Sequence, residues 1–318
     1  MASRKFQQFL YGSYLYPFLW ATKNFKIGHN VLDSDWDALI ILDACRVDAL
    51  QNVASEYDFI GDVESRWSVG STSKEWLINT FRREYTQDVN EIGLVTGNAW
   101  AEVLFEEEPN WGSWTSLKGS IWDGHPISTI AERELIREDD FHTYLPVWVN
   151  EGRRNGNTAP RAEHVTDAAI NVGREANPER LVVHYMQPHE PFFHDSGDDT
   201  HLSEINKNPT EALRNGEKKS KIWEGYLDNL RYVLDSVELL LENMEAEKVV
   251  ITADHGELFG EVGLVGHFAG FPHPKLRKVP WVETEAVDKE TYTPEKNFSD
   301  MKNSSGDVED RLADLGYL

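Results

Sequence analysis

Two short apolar runs, each followed closely by polar side chains, are the feature that most limits how this chain can fold. Residues 38–42 read Ala-Leu-Ile-Ile-Leu and lead directly to Asp43. Residues 249–251 read Val-Val-Ile and lie just ahead of Asp254 and His255. A run that is apolar at successive positions predicts a strand that is buried on both faces. Such strands belong to parallel sheets that are covered by helices.

The sequence supplies both more strands and the helices to cover them. The predicted strands are residues 37–42, 91–96, 180–185 and 248–252, and the predicted helices are 46–55, 161–175 and one with apolar residues at Tyr226, Leu230, Val233, Leu234, Val237 and Leu241. Apolar residues that recur every three or four positions indicate an amphipathic helix. The alternation predicts an α/β protein, a three-layer α/β/α sandwich with a mainly parallel central sheet.

The domain organisation follows from where this alternation stops. We predict an aromatic N-terminal extension (1–32), a catalytic domain (33–284) and an acidic C-terminal tail (285–318) that includes a short helix at 312–318. Within the domain, residues 105–122 are predicted to be an irregular insertion and residues 195–219 a polar loop.

The charge balance excludes one class of partner. The chain has 55 acidic and 31 basic residues, and its net charge is −24. A protein this acidic has few cations to replace the counterions of a phosphate backbone, so nucleic acid is excluded as a partner. Acidity spread along the whole chain predicts a halophilic source, because it keeps a protein hydrated in concentrated salt.

Cysteine content and the N-terminal run bear on localisation. Cys45 is the only cysteine, so no intramolecular disulfide forms, and this predicts a cytoplasmic protein. The aromatic run at residues 9–20 is shorter than the ~20 residues that span a bilayer and contains Gly12 and Pro17. Two interpretations of this run stay open: a helix packed on the domain, or a peripheral membrane contact.

The polar residues at the strand ends predict a metal site. Ligands of an open parallel sheet bind outside the carboxyl ends of its strands, which is where Asp43, Asp254 and His255 are expected. Carboxylates with a neutral imidazole suit a divalent ion such as Mn, Mg, Ca or Zn. The alternative is a helix-capping aspartate beside a histidine whose hydrogen bonds are already satisfied.

A hydroxyl group is predicted near this metal. Thr72 and Glu75 match a capping box, so a helix is expected to begin here. Free N–H groups at a helix start attract anions, and a nearby cation would activate the hydroxyl to attack a phosphoryl or sulfuryl centre. The alternative is an ordinary helix cap.

Three histidines follow predicted strand segments. His184 and His189 lie in a proline-rich loop, and His267 follows shortly after the Asp-His pair. Their imidazoles are candidates to bind an oxyanion or to protonate a leaving group, and the alternative is that they are solvated loop side chains.

Taken together, these segments resemble the sulfatase and alkaline phosphatase superfamily, in particular sulfatase-like proteins of halophilic archaea. The resemblance covers most of the chain and is carried by residues 42–46, 184–192, 226–241, 252–257 (Thr-Ala-Asp-His-Gly-Glu) and 276–280. It implies an alkaline-phosphatase-like fold with a mixed sheet.

The sequence also departs from this family. True sulfatases mature the cysteine of a Cys-x-Pro-x-Arg motif to formylglycine, and Cys45 stands in the wrong place for this. The resemblance therefore implies a hydroxyl nucleophile, Thr72 or Ser71, as in the phosphatases and phosphoglycerol transferases of the superfamily. Ala44 replaces a second carboxylate that is common in sulfatases, which implies that the site holds a single ion with fewer protein ligands.

We therefore predict a metal-dependent hydrolase or transferase that acts on phosphate or sulfate esters, including glycan or lipid esters, through a covalent intermediate. The predicted roles are metal ligand for Asp43, Asp254 and His255, catalytic residue for Thr72, Ser71, His189 and His267, and substrate-binding residue for Arg46, His184 and Lys74. One alternative is a degenerate member that binds an anionic glycan or lipid headgroup without turnover. Another is a membrane-associated interaction protein.

Overall fold

The computed structural model describes residues 4–106, 111, 114–147, 159–193 and 202–294. The strands are β1 (Ala38–Leu42), β2 (Glu64–Trp67), β3 (Ile92–Thr96), β4 (Thr143–Pro146), β5 (Arg180–Tyr185), β6 (Ala246–Thr252), β7 (Leu258–Phe259), β8 (Val265–Gly266) and β9 (Lys278–Ala286). The α-helices are α1 (Arg4–Asn24), α2 (Val47–Val53), α3 (Ser73–Thr80), α4 (Thr86–Val89), α5 (Ala99–Phe105), α6 (Ala162–Asn171), α7 (Glu204–Lys207), α8 (Pro209–Arg214), α9 (Lys219–Leu241) and α10 (Pro274–Arg277). Short 3-10 helices cover Val31–Asp33, Ala54–Glu56, Arg83–Tyr85, Thr115–Leu117, Pro126–Ala131, Glu138–Asp140 and Glu261–Gly263, and a π-helical turn covers Val172–Ala176.

A seven-stranded mixed sheet forms the centre of the molecule. Its strand order is β2-β9-β6-β1-β5-β3-β4, and β7 pairs only with β8 in a small separate sheet. Strand β1 lies parallel to both β5 and β6, while β9 is antiparallel to both of its neighbours. The predicted mainly parallel sheet is confirmed, with β9 as the exception that makes it mixed.

Side chains of β1 alternate between two separate hydrophobic cores, one on each face of the sheet. Leu39 and Ile41 pack with residues of α1, α3 and α5, whereas Ala38, Ile40 and Leu42 pack with α2, α6 and α9. Because both faces are covered, the strand is apolar at every position. This arrangement confirms the predicted three layers.

The boundaries of the predicted elements are close to those observed, but five strands were not predicted. Strand β5 has the predicted bounds and β3 begins one residue later than predicted. Strands β2, β4 and β9 of the central sheet and the short strands β7 and β8 are additional, and β9 extends to Ala286. The prediction of a loop over 195–219 is wrong for its described part, because α7 and α8 form there with Ser203 and Pro209 at their starts. The predicted helix at 312–318 lies outside the described residues.

Helix α1 packs on the domain, as the first interpretation of the N-terminal run expects. Leu15, Tyr16 and Leu19 are fully buried, and Pro17 is accommodated inside the helix. Arg133 donates to the Leu19 carbonyl oxygen at 2.9 Å and so holds the middle of α1 to the domain. In the part of the chain that the structure describes, no helix combines the length and apolar character that crossing a bilayer requires.

Candidate metal centre

Four neighbouring strands deliver polar side chains to one edge of the sheet. Asp43 directly follows β1, and Asp254 lies two residues beyond β6. His184 is the penultimate residue of β5, and Asn98 lies just past β3. Because β6, β1, β5 and β3 are adjacent and parallel, their carboxyl ends converge. Residues more than two hundred positions apart therefore meet in one site.

Asp43, His184 and Asp254 form a cluster that we call the first group. One ligand atom from each lies within 4.8 Å of the others. Asp43 Oδ1, His184 Nε2 and Asp254 Oδ2 are all buried and have no hydrogen-bond partner among the described residues. Buried polar atoms without partners are costly, and two buried carboxylates repel each other. A divalent cation would satisfy all three atoms at once, so the residues fit the metal that the sequence predicts.

His255 stands beside the first group with its Nε2 facing the carboxylates. This atom is 3.6 Å from Asp43 Oδ1 and 3.4 Å from Asp254 Oδ2. The other ring nitrogen, Nδ1, is 2.8 Å from the Gly256 carbonyl oxygen, which accepts hydrogen bonds only. In the neutral ring Nδ1 therefore carries the hydrogen, and Nε2 keeps its lone pair for a metal. The three residues predicted from sequence as metal ligands are thus brought together.

The second oxygen of each carboxylate is held by the protein. Asn98 Nδ2 donates to Asp43 Oδ2 at 2.7 Å. The backbone N–H groups of Ala44 and His255 donate to Asp254 Oδ1 at 3.1 and 2.8 Å. Ala44 reaches this position with a φ of 60°, a left-handed conformation that is uncommon for alanine. These contacts fix both carboxylates with one oxygen turned toward the cluster. The sequence analysis assigns no role to Asn98. Its position just after a central strand could have indicated that it belongs to the site.

The imidazoles around Asp43 keep it ionised. Burial alone would raise the pKa of this carboxyl, but the polar contact with the His184 side chain and the nearby His189 and His255 side chains lower the pKa below its usual range. A carboxylate held in its charged form is ready to bind a cation at neutral pH.

The hydroxyl that reaches the first group belongs to Ser73. Its Oγ is 3.1 Å from Asp43 Oδ2 and 3.3 Å from His255 Nε2. Ser73 is the first residue of α3, whose N-cap is Thr72, and the Thr72 hydroxyl accepts the N–H of Glu75 at 3.2 Å. The Thr72 oxygen caps the helix, as the capping box indicates, whereas the Ser73 oxygen contacts the first group.

Ser71, the other predicted hydroxyl, belongs to a buried network that we call the Glu75–Arg277 network. Ser71 Oγ donates to Glu75 Oε2 at 2.7 Å and accepts from Arg277 at 3.2 Å. Arg277 pairs with Glu75 Oε1 at 2.5 Å, and the Gly270 N–H donates to Glu75 Oε2 at 2.8 Å. The Ser71 hydroxyl is thus engaged away from the carboxylates of the first group.

His189, Glu257 and His267 form a second group with metal-compatible geometry. His267 Nδ1 lies 3.0 Å from Glu257 Oε2, and the His267 and His255 rings are 4.5 Å apart between centroids. Burial would lower the pKa of His267, but the Glu257 carboxylate raises it to about 9. The two groups adjoin through His255, whose ring lies next to that of His267, and the His189 ring is 5.3 Å from the His267 ring between centroids. Glu257, within the Asp-His-Gly-Glu segment, had been given no role from sequence.

Arg46 and Lys74, predicted to bind substrate, are engaged elsewhere. Arg46 makes paired contacts to Asp48 at 2.9 and 2.7 Å and a third to Glu261 at 3.0 Å. Its guanidinium is therefore committed to a structural ion pair rather than turned toward the first group. The Lys74 ammonium lies between two indole rings, 4.8 and 4.7 Å from the ring centroids of Trp100 and Trp114. Burial lowers the pKa of Lys74 to about 7.

Comparisons with known proteins give distant likenesses only. The chain matches no protein-family model and no curated protein sequence. Among solved structures it is similar to the integral membrane protein lipooligosaccharide phosphoethanolamine transferase A (EptA) of Neisseria meningitidis, with 13% identity, a TM-score of 0.48, and coverage of 88% of this chain and 54% of that one. The chain thus spans about half of that transferase.

The soluble domain of EptA from Neisseria meningitidis shows 15% identity and a TM-score of 0.46, with 88% of this chain and 86% of that chain covered. The C-terminal periplasmic domain of EptC from Escherichia coli, in complex with Zn, shows 11% identity and a TM-score of 0.38, with 87% and 78% covered. At these scores the likenesses carry no functional argument for this chain.

Proposed function

We propose that this protein is a metal-dependent transferase or hydrolase of phosphate or sulfate esters, with one resident divalent ion in the first group. The observation that supports it best is the set of three buried ligand atoms without partners, from Asp43, His184 and Asp254, beside the Ser73 hydroxyl. Carboxylate oxygens without partners at a buried site are what a cation requires.

Ser73 is the proposed nucleophile. Its Oγ attacks the phosphorus or sulfur atom of the ester, while its proton passes to Asp43 Oδ2, which the hydroxyl contacts at 3.1 Å. When bound, the ion would lower the pKa of the hydroxyl and offset charge on the tetrahedral group. The Ser73 oxygen forms a bond to the central atom as the bond to the leaving oxygen breaks. Water or an acceptor alcohol then resolves the seryl ester.

His267 is the proposed acid for the leaving group. The Glu257 carboxylate keeps the imidazole protonated at neutral pH, because it raises the His267 pKa to about 9. With Nδ1 held by Glu257, the Nε2–H is free to donate a proton to the departing oxygen. His189 holds the ester oxygens through its Nε2, since its Nδ1 contacts the Glu190 carbonyl oxygen at 2.7 Å.

The substrate is proposed at the level of a class. Phosphate and sulfate esters present the same tetrahedral anion, and glycan or lipid esters are the alcohol portion that the family resemblance implies. EptA is named as a transferase that acts on lipooligosaccharide. A peripheral membrane contact of residues 1–32 remains a prediction of the sequence, as does a halophilic source.

The test combines metal content with turnover of chromogenic esters. The purified protein is stripped with a chelator, titrated with Mn²⁺, Mg²⁺, Ca²⁺ and Zn²⁺, and assayed with nitrophenyl phosphate, bis-nitrophenyl phosphate and nitrophenyl sulfate. Ser73→Ala should lose turnover but keep metal binding, whereas Thr72→Ser, which keeps the helix cap, should retain both. Mass spectrometry of the quenched enzyme should find the adduct on Ser73. An adduct on Thr72, or full activity of Ser73→Ala, would contradict the assignment.

A degenerate binder is the second candidate, and Ala44 is the observation that favours it. Where sulfatases commonly carry a second carboxylate, this chain contributes only the Ala44 N–H, which donates to Asp254. In this case the stripped protein would take up metal and bind an anionic headgroup saturably, with no product from any ester in the panel.

A further inference from the structure

Helix α1 is apolar on both sides, yet the described residues cover only one of them. Leu15, Tyr16 and Leu19 face the domain and are fully buried. The opposite side carries Phe6 and Leu10, each 52% exposed. A helix that is apolar all round is normally buried all round, because each large apolar side chain in water is unfavourable. The exposed apolar side chains on the outer side of α1 therefore indicate a surface that another molecule covers.

The exposed apolar side chains of the molecule are concentrated on this helix. Six of the nine exposed large hydrophobic residues among the described ones lie on α1 or one residue past its end: Phe6, Phe9, Leu10, Tyr14, Trp20 and Phe25. Trp122 packs on the ring of Phe9 with centroids 5.9 Å apart, and the exposed Ile121 is its neighbour in the chain. We call this surface, with the exposed side of α1, the outer face. A contiguous patch of this kind marks an interaction surface.

The charge of the segment differs in sign from that of the rest of the chain. Residues 1–32 contain four basic residues and no aspartate or glutamate. Since the whole chain carries −24, the remaining residues carry −28. Lys5 lies near one end of α1 and Lys23 near the other, and Lys26, just past the helix, pairs with Asp33 at 3.2 Å. An apolar, aromatic strip flanked by cations complements an anionic lipid surface, where aromatic rings sit at headgroup level.

A second copy of the chain is a poorer occupant for the outer face. Two copies meeting through α1 would bring the same basic residues together, along with two strongly acidic domains. An anionic bilayer instead attracts α1 and repels the acidic domain, so only one orientation is favourable. The helix would then lie in the plane of the interface, consistent with its not being suited to cross it.

The outer face also lies close to the candidate centre. The Tyr11 and Tyr14 hydroxyls donate to the carbonyl oxygens of Ala269 and Gly270 at 2.6 and 2.7 Å. These carbonyls begin two residues after His267 in the chain. A surface bound to α1 therefore runs beside the loop that carries the second group.

We propose that the outer face of α1 docks on an anionic lipid bilayer and holds the candidate centre at the membrane surface. The contact itself does not depend on the proposed function; only the purpose of placing the centre there does. The aromatic and aliphatic side chains enter the interfacial zone, and the lysines at the helix ends contact lipid phosphates.

The test is co-sedimentation of the full chain with vesicles of phosphatidylcholine, alone or mixed with phosphatidylglycerol. Replacing Phe6, Leu10 and Trp20 together by Ser should reduce the partition coefficient on the mixed vesicles roughly tenfold or more. Val262 and Val287 are exposed apolar residues away from α1, and their joint replacement by Ser is the matched control, which should bind as the original protein does. Binding should weaken on neutral vesicles and at high salt.

A labelling experiment locates the contact. Cys45 is buried, so a cysteine introduced as Leu10→Cys can be labelled selectively with an environment-sensitive dye. Its emission should shift to the blue when vesicles are added, and the emission of labelled Val287→Cys should not. If the two dyes respond alike, or the full chain fails to sediment with mixed vesicles, the proposal is overturned.

Self-association is the competing result. Light scattering of the full chain without lipid would then show a dimer that the triple serine variant abolishes, and this too would overturn the membrane proposal. Hydrolysis of soluble chromogenic esters is measured on the same variants without vesicles. Unchanged turnover in the triple variant with lost vesicle binding separates the two proposals, because either one can fail alone.

Discussion

Two buried polar clusters lie side by side in this protein, and they differ in whether their atoms have partners. In the Glu75–Arg277 network both carboxylate oxygens of Glu75 accept hydrogen bonds, and the guanidinium donates to Glu75, Ser71 and backbone carbonyls. In the first group, Asp43 Oδ1, His184 Nε2 and Asp254 Oδ2 have none among the described residues. The two clusters are joined by α3, which carries both Ser73 and Glu75.

We expect this difference between a cluster that only stabilises the fold, the Glu75–Arg277 network, and one that binds a cation, the first group. A buried ion pair with every hydrogen bond made needs nothing further, and removing one partner leaves a costly charge. Atoms left without partners carry that cost already, and a bound cation would offset it. The comparison predicts that mutations in the two clusters change different measured quantities.

Asp254→Asn is expected to show the largest difference between the two clusters, because it should lower turnover without lowering the stability of the metal-free protein. Turnover should fall about a thousandfold or more, equivalent to about 4 kcal/mol in the barrier, because the ion loses a charged ligand. The free energy of unfolding of the chelator-treated protein should stay the same or rise, since one of two like charges is removed. Esterase assays and urea unfolding with and without metal measure both. A large loss of metal-free stability would erase the distinction between the clusters.

The opposite pattern is expected from Arg277→Met. The Glu75 carboxylate would remain buried without its cation, which should lower the free energy of unfolding by about 3–5 kcal/mol. Added metal should not restore the loss, because the ion binds elsewhere. Urea unfolding measures this, and the double variant with Glu75→Gln should recover part of the stability. A loss below about 1 kcal/mol would show that the network does not stabilise the fold.

Asn98→Ser tests how firmly the first group is positioned. The serine hydroxyl can still cap α5, but it removes the amide N–H that Asp43 Oδ2 accepts at 2.7 Å. Metal affinity should weaken about 10- to 100-fold, as for other residues that orient a ligand. Calorimetric titration measures the affinity, and helicity by circular dichroism controls for the cap. An unchanged affinity would mean that Asp43 needs no support from Asn98.

The pH dependence of stability tests the second group. The folded-state pKa of His267 is raised to about 9, above its ordinary 6.5. Its contribution to stability is therefore complete below pH 6.5 and is lost as the pH rises toward about 9. Urea unfolding of chelator-treated protein should show this decline, and His267→Gln should flatten it. If the variant shows the same decline in the free energy of unfolding with pH, His267 is not the group that causes it.

The smallest effect is expected from Ala44→Gly. Ala44 holds a φ of 60° to direct its N–H at Asp254, and glycine adopts this conformation without strain. The free energy of unfolding should rise by up to about 1 kcal/mol, with metal affinity unchanged. Urea unfolding and metal titration of the one variant measure both. A fall in stability would indicate that the alanine methyl group contributes packing.

Sequence patterns were sufficient to find the central strands and the residues at their ends. Strand β5 matches its predicted bounds because its run of apolar residues is bounded by turns. The sequence also predicted correctly that Asp43, Asp254 and His255 lie together. Alternating strands and helices imply a parallel sheet, and the carboxyl ends of its strands meet at one edge.

The proposed nucleophile lies one residue after the one favoured from sequence. The capping box correctly located the start of α3, and the Thr72 oxygen accepts the Glu75 N–H there. The next residue, Ser73, is the first residue of the helix, and its hydroxyl contacts Asp43 Oδ2. The local pattern gave the position of the helix start but not which hydroxyl reaches the carboxylates, because that depends on how α3 packs against the ends of the strands.

Strand β9 was missed because Pro280 lies inside it. Proline usually excludes a strand from the interior of a sheet, since it has no N–H to donate. Here Pro280 pairs opposite Ser65 of β2, and its carbonyl oxygen accepts the Thr252 hydroxyl at 2.7 Å. The side-chain contact to Thr252 lies in tertiary structure that local patterns do not reveal.

The order of the strands has a consequence for how the protein reaches its folded state. Strand β1 lies between β5 and β6, whose residues are about 140 to 210 positions later in the chain. The first group is therefore complete only when β6 has paired with β1. Tight loading with metal should not precede that pairing, so ion uptake during refolding would report that β1, β5 and β6 have come together.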